Sequence, residues 1–401
     1  MNRKFHNYLL CICVFLLASC GKSKNDYTIS MSNSLPLARA SETIEIKLDE
    51  INIISGHEAL SNLIIKDNNG NVIPIQFIDD NQDSKFDYFI FQTNFEPNET
   101  KEFKISFNKN STAVDYSKSA LRTFCRLVPE RMDDFAWEND KVAFRTYGPE
   151  CQRLFENEDT GGLISSGIDC WTKRVDYPII NKWYRNAKHG KSYHKDYGEG
   201  YDGYHVGTTR GNGGVALLHE GKAILSKNFI SSKVLANGPI RSVFELEYAP
   251  VLIDSIEVFE TKKISIDLGS NFYHCNVSYT SEKRLNTLAI GLAFHNGEGE
   301  VALNKSEGWI SYWEPYGDSY LGTGVLIQSE NFIKTVLETE IKNNESLNNI
   351  WIHSKIEAQS VNYWSGFGWQ KAGSFNSAEA WNTHLSKTSQ LKSNPIKVSI
   401  N

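Results

Sequence analysis

Arg241-Ser242-Val243-Phe244-Glu245-Leu246-Glu247-Tyr248, Lys263-Ile264-Ser265-Ile266-Asp267-Leu268 and Tyr273-His274-Cys275-Asn276-Val277-Ser278-Tyr279 lie within one short stretch of the chain. Each run alternates apolar and polar residues with a period of two. Successive side chains of a strand point to opposite faces, so this period marks a strand with one face in a core and one toward solvent. An apolar run, Leu288 to Phe294, follows, then Val325-Leu326-Ile327 and Ile350-Trp351-Ile352. Many short strands with little helix between them predict two facing antiparallel sheets, a single large sandwich from about residue 113 to 401. There is no regular repeat and no Rossmann or P-loop signature.

Toward the N-terminus the same period returns in Thr43-Ile44-Glu45-Ile46-Lys47-Leu48. Leu63-Ile64-Ile65-Lys66 and Val72-Ile73-Pro74-Ile75 flank the turn formers Asp67-Asn68-Asn69-Gly70, which reads as a hairpin. With Tyr88–Phe91 and Phe103–Phe107 these strands predict a small β-sandwich over residues 41–112. Between them Asp79 to Asp87 places oxygen ligands at alternate positions. It lacks the glycine and terminal glutamate of an EF-hand, so an Asx-rich turn is the favoured reading over a calcium loop. Residues 20–40 read as a polar linker. Ahead of it, Arg3 and Lys4 precede the apolar Tyr8–Leu17, and Leu17-Ala18-Ser19-Cys20 matches a bacterial lipobox. Residues 1–19 are expected to be a lipoprotein signal peptide, with Cys20 acylated and the protein anchored by lipid at the cell envelope. Two helices are predicted. One is short, with Asp176 as its expected cap, and carries Ile179, Ile180, Trp183 and Tyr184 at helical spacing. The other follows the capping-box pattern Asn376-Ser377-Ala378-Glu379, with Trp381 and His384 packed on a sheet.

The formal net charge of -6 over 401 residues gives no basic stripe and excludes a nucleic-acid partner. The aromatic content of 12% fits a sugar-handling surface as well as a β core. Trp364, Phe367 and Trp369 in particular read either as a stacking platform or as a core-edge cluster. Cys125, Cys151, Cys170 and Cys275 have no CxxC spacing, which leaves one or two disulfides or buried free thiols as the alternatives.

Reactive residue types concentrate between 145 and 214. Arg145 and Tyr147 precede Gly148-Pro149, and Asp169-Cys170-Trp171-Thr172-Lys173-Arg174 sets a tryptophan beside two cations. His189, His194, Asp196, Glu199, Asp202, Tyr204, His205 and Arg210 follow, interleaved with glycines. Glycine permits tight turns and close approach of a ligand, so the segment reads as an active-site loop. Three chemistries fit it. His194 and Asp196 with Glu199 or His189 would suit a divalent metal such as zinc or manganese. Glu199 with Asp202 or Glu314 would suit a paired-carboxylate glycosidase. The third is proton abstraction beside a carboxylate, with Arg210 or Lys173 offsetting a uronate charge and Tyr204 and His194 moving protons. The third is favoured. No cofactor is required by it, and a divalent metal remains an alternative occupant. His295 ends an apolar run and is a candidate for the cleft wall.

The runs Tyr193-His194, Asp196, Gly198-Glu199-Gly200, Asp202, Tyr204, Val206-Gly207 and Arg210-Gly211 resemble the signature of one bacterial family. So do Arg145-Tyr147-Gly148-Pro149, Gly167-Ile168-Asp169-Trp171-Lys173-Arg174 and the later Tyr312-Trp313-Glu314-Pro315 with Asp318 and Gly322-Thr323-Gly324. Its members are exported proteins of polysaccharide-utilisation systems, long described as of unknown function, and one relative is an ulvan oligosaccharide dehydratase. The resemblance runs from about residue 40 to the end. It implies removal of water from a non-reducing-end uronic acid to leave a 4,5-unsaturated residue. On this reading His194, Tyr204, Arg210, Lys173, Glu199 and Asp202 are catalytic, and Arg145, Tyr147, Trp171, His189, Asp196, His205 and His295 bind the substrate, a uronate-containing oligosaccharide. The expected fold is all-β, a galactose-mutarotase-like supersandwich with a small N-terminal β-sandwich. The rival activities are a polysaccharide lyase, which expels a sugar instead of water, and a non-catalytic glycan-binding lipoprotein.

Overall fold

The computed structural model describes residues 27–51, 60, 62–107, 121–338, 341–342, 345–346 and 348–400. The expected signal peptide, the lipobox and Cys20 lie outside the described residues, as does the expected domain boundary near residue 112.

The alternating runs become neighbouring antiparallel strands, Arg241–Tyr248, Ile256–Asp267 and Phe272–Thr280. Register and period agree across the sheet. Phe244 pairs with Ile264, Ile264 with Cys275, Cys275 with Tyr363 and Tyr363 with Ile327, and all five side chains belong to one buried core. A slip of one residue in any strand would turn its half of this row to solvent. The full sheet has nine strands: Phe229–Asn237, the three above, Ser360–Trp369, Ser319–Ile327, Trp309–Tyr316 and Glu300–Asn304, with Val251–Ile253 paired to the side of Ile256–Asp267.

Opposite it lies a layer made of two five-stranded sheets. One runs Lys222–Ile224, Asn212–His219, Thr287–Ala293, Asn349–Lys355, Phe332–Glu338; the other runs Gly200–Tyr201, Ile168–Lys173, Ala143–Thr146, Asp134–Glu138, Phe124–Val128. A parallel bridge between Ile168 and Gly211 joins them. Gly211 has φ +60°, and a Cβ there would stand 2.0 Å from the Ile168 carbonyl oxygen, so only glycine permits this junction. The sandwich is all-β, as expected.

The small N-terminal sandwich pairs a sheet of Tyr27–Ser32, Thr100–Phe107, Leu63–Lys66 and Val72–Ile73 with one of Arg39–Lys47, Tyr88–Phe95 and Gln76–Ile78. Ile29, Met31, Phe89, Phe91 and Ile105 fill it. Two boundaries need correction. Part of the expected linker, Tyr27–Ser32, is a strand, and Ile29 and Met31 are fully buried. The chain end, assigned to the large sandwich, returns as Lys397–Ile400 to pair with that strand, Ile29 facing Ile400. The Asp79–Asp87 segment forms Asx turns: Asn81 accepts from Asp83 N, and Asp83 from Lys85 N.

Three α-helices lie among the described residues. Helix α1, Pro149–Glu156, begins with Pro149 in its first turn, just after Arg145, Tyr147 and Gly148. Helix α2, Ile180–Lys188, carries Trp183 and Tyr184 inward as expected, but Asp176 does not cap it. The Glu138 carboxylate does so from another strand, accepting from Ile179 N and Ile180 N at 2.8–2.9 Å. Helix α3, Ala378–Ser393, starts with Ser377 accepting from Ala380 N, and seats Trp381 on Phe272 with ring centroids 5.5 Å apart. Trp381 is fully buried, so Trp381→Ala would cost about 3–5 kcal/mol. The four cysteines Cys125, Cys151, Cys170 and Cys275 are free and buried, which decides between the two alternatives above.

Candidate active site

The loop after α2 is tied down at both ends. Asp202 N donates to the Tyr193 carbonyl at 2.9 Å, and Gly203 N donates to the Tyr316 hydroxyl at 2.9 Å. Beyond Gly203 the loop forms one wall of a cleft of about 300 Å³. Tyr204 and His205 come from this loop, His295 from the end of Thr287–Ala293, and Tyr312, Glu314 and Tyr316 from Trp309–Tyr316. The two layers of the sandwich thus each contribute side chains to it.

His295 is the electrostatic centre of the cleft. Its Nδ1 lies 2.9 and 2.7 Å from the two Glu314 carboxylate oxygens, and its Nε2 lies 2.8 Å from the His205 carbonyl. Both neighbours offer acceptor oxygens, an arrangement that favours the imidazolium, in which both ring nitrogens donate. Burial pulls its pKa down, but the Glu314 hydrogen bond and charge and the His205 carbonyl outweigh burial and hold it above the ordinary 6.5. Tyr204 presents its ring edge-on to His295 at 4.9 Å. Its buried hydroxyl has no side-chain partner and faces the backbone N–H of Ala293, and burial raises its pKa far above the phenol range, so it remains protonated.

His194 stands beside this wall. Its Nδ1 donates to the carbonyl of Asp202, next to Gly203, at 3.0 Å, with the Asp202 carboxylate at 3.5 Å. Its Nε2 points away from that contact, on a side chain that is 61% exposed. Asp202 is in turn held by Arg145 at 3.1 Å.

A family profile described as "Domain of unknown function (DUF4861)" matches residues 31–398. The chain belongs to the DUF4861 family. It is also 37% identical over 391 residues, covering 96% of both chains, to "Uncharacterized protein P7" of Formosa agariphila. Among solved structures, an α-mannosidase from Enterococcus faecalis superposes with a TM-score of 0.47 and 8% identity over 94% of this chain. A glycosyl hydrolase family 38 protein from the same organism gives 0.49 and 8% over 95%. The DUF4861 chain spans about half the length of those two, 46% and 48%.

Of the residues expected in the site of this DUF4861 protein, Tyr204, His205 and His295 meet in the cleft, and His194 is bonded to Asp202, one residue before the lining Gly203. The expected cations do not reach it. Lys173 is fully buried, bound to Glu138 at 3.1 Å and to the Asn139 and Tyr177 carbonyls at 2.8 Å, so its three donors are used in holding the N-terminus of α2. Arg210 is buried against Ser166 Oγ at 3.0 Å and the Thr208 carbonyl at 3.1 Å, and burial brings its guanidinium down to about 10. Arg145, expected to bind substrate, lies under the loop between Asp169 at 2.6 Å and Asp202, with Tyr147 and Trp171 against its guanidinium at 5.5 and 5.2 Å. Tyr147, Trp171 and Asp202 are therefore parts of its buried cage. Glu199 bonds Lys182, the Tyr177 hydroxyl and Trp183 Nε1, which fastens the loop to α2. Asp196 pairs with Arg174 at 2.8 Å and accepts from Gly198 N, and His189 is exposed at the end of α2. The two carboxylates expected as metal ligands, Asp196 and Glu199, are thus drawn to separate cations. No group of three or more His, Cys, Asp or Glu among the described residues is placed to hold a metal.

Among the cleft residues not anticipated are Tyr312 and Tyr316. Both belong to the Tyr312-Trp313-Glu314-Pro315 segment, where strand alternation puts Tyr312, Glu314 and Tyr316 on one face.

Proposed function

We propose that this protein removes water from a uronic acid at the non-reducing end of an ulvan-type oligosaccharide, leaving a 4,5-unsaturated residue. The observation that carries the reading is the Tyr204 hydroxyl, buried without a side-chain partner beside His295, whose ring is held between Glu314 and the His205 carbonyl. A proton on the carbon next to a carboxylate is acidic only where the carboxylate charge is offset. His295 supplies that charge in place of Arg210 and Lys173. His194 Nε2 takes the C5 proton. The electron pair of the C5–H bond forms the C4–C5 double bond as the C4–O bond breaks. The departing hydroxyl takes the Tyr204 proton and leaves as water. Transfer of the proton from His194 to the Tyr204 oxygen through solvent restores both groups. Each positioned proton transfer contributes about 10²–10⁴-fold.

The glycosidase alternative has less support. Glu199 is bound to Lys182, Asp202 to Arg145 and Glu314 to His295, so the carboxylates it would use already have cationic partners. The lipobox ending at Cys20 supports a lipid-anchored protein of the bacterial cell envelope. The test is incubation with saturated oligosaccharides ending in a uronate. The expected products absorb in the ultraviolet as enol ethers and weigh one water less than the substrate. Shorter, cleaved chains would favour the polysaccharide lyase. A glycan that stays bound and chemically intact would favour the binding protein and overturn the proposal.

A further inference from the structure

A second cavity, of about 380 Å³, opens where the small sandwich meets the outer face of the nine-stranded sheet. It shares no lining residue with the Tyr204–His295 cleft. One wall is the strand Arg39–Lys47, another is helix α3, and the floor is the sheet. The floor follows from strand parity. Cys275 and Tyr363 point into the core, so their neighbours His274 and Trp364 point out, and these two are paired across adjacent strands with rings 5.0 Å apart. Helix α3 adds His384, stacked on Phe272 at 5.6 Å, and Lys392, whose ammonium is 5.8 Å from the Trp364 ring centre.

The chemistry of this cavity is uneven in a useful way. Arg241 and Asp267 are joined by two contacts of 2.6 and 2.9 Å, and Glu42 is held by Arg39, so those charges are matched. Lys392 forms no ion pair with a described residue, and its ammonium lies over the Trp364 ring. His384 Nε2 is buried without a hydrogen-bond partner. Burial pushes both His274 and His384 down to about 4, so each is neutral near pH 7 and offers a donor and an acceptor. A half-buried indole, neutral hydrogen-bonding rings and one free ammonium match a sugar ring that carries an acid group. Ligand cavities favour junctions between domains, and this volume lies within their usual range.

We propose that this cavity is a second saccharide site that takes a pyranose bearing a carboxylate, stacked on Trp364 with its acid group at Lys392. It does not depend on the reaction assigned to the first cleft. The site would hold a further stretch of an acidic glycan, or a second chain, while the cleft acts on an end.

The test is calorimetric titration of the His295→Ala protein with a saturated uronate-containing tetrasaccharide and with the same tetrasaccharide after reduction of its carboxyl groups. Adding Trp364→Ala is expected to weaken binding of the acidic tetrasaccharide by about tenfold. Adding Lys392→Ala, an exposed change that leaves the fold intact, is expected to weaken it several-fold while leaving the reduced tetrasaccharide unaffected. Titrations of both variants that superimpose on the parent, or a parent that binds neither probe, would overturn the proposal. Product formation by the wild-type protein is read separately, so failure of the assigned reaction would not be mistaken for failure of this site.

Discussion

The His295 ring turns one nitrogen toward both oxygens of Glu314, at 2.9 and 2.7 Å, and the other toward the His205 carbonyl at 2.8 Å. The pair fixes a positive charge in the cleft. Because the folded pKa of His295 is raised, the stabilising contribution of its charged form is complete below the ordinary 6.5 and is lost as pH rises through the folded value. Glu314→Gln removes the main cause of the rise and leaves burial, so the folded pKa falls. The alkaline limb of the kcat/KM profile is expected to move toward lower pH. An unmoved limb would show that activity does not use the His295 charge.

Tyr204→Phe tests the buried hydroxyl. It has no side-chain partner, and its loss leaves at most the contact with Ala293 N–H unmade, so the variant is expected to stay within about 1 kcal/mol of the parent in urea titration. Turnover is expected to fall by about 10²–10⁴-fold. Equal losses of stability and activity would indicate a packing role instead.

His194→Ala separates chemistry from folding in another way. The side chain is 61% exposed, so its removal is expected to change stability by no more than about 0.5 kcal/mol. Activity is expected to fall by at least about 10²-fold. A variant that retains full turnover would move the base elsewhere.

Arg145→Met addresses the cage under the loop. The guanidinium serves Asp169 and Asp202 at once, with Asp134 at 3.8 Å. Removing it leaves buried carboxylates without their cation, at a cost of about 3–5 kcal/mol. Asp169 is already pushed up to about 7 by burial and by Asp202, and it rises further without Arg145. A group raised on folding loses its stabilising contribution as pH climbs through its folded pKa. The deficit measured by urea unfolding is therefore expected to be larger near about pH 8 than near about pH 5.

The sandwich was legible because Phe244, Ile264 and Cys275 each sit in a run whose period is long enough to state which face is buried. Tyr27-Thr28-Ile29-Ser30-Met31-Ser32 alternates too, but its polar partners and nearby serines and asparagines resemble a linker. Its burial depends on residues 100–105 and 397–400, far away in sequence. The site divides along the same line. The loop carrying His194, Tyr204 and His205 stood out by composition, and His295 by its place at a strand end. Lys173, Arg210 and Arg145 were read as substrate cations because a sequence states a charge and not its partner. Glu138, which neutralises Lys173 and caps α2, sits in Asp134-Phe135-Ala136-Trp137-Glu138, a stretch with no outward sign of that double duty.

The pairing of Tyr27–Ser32 with Lys397–Ile400 bears on how the protein is born. Tyr27–Ser32 has Thr100–Phe107 along one side and Lys397–Ile400 along the other, so the small sandwich draws its strands from both sides of the large one in sequence. One flank of that strand is covered only after the residues of the large sandwich have been made. Removing Lys397–Ile400 would leave that flank bare, far in sequence from the cut.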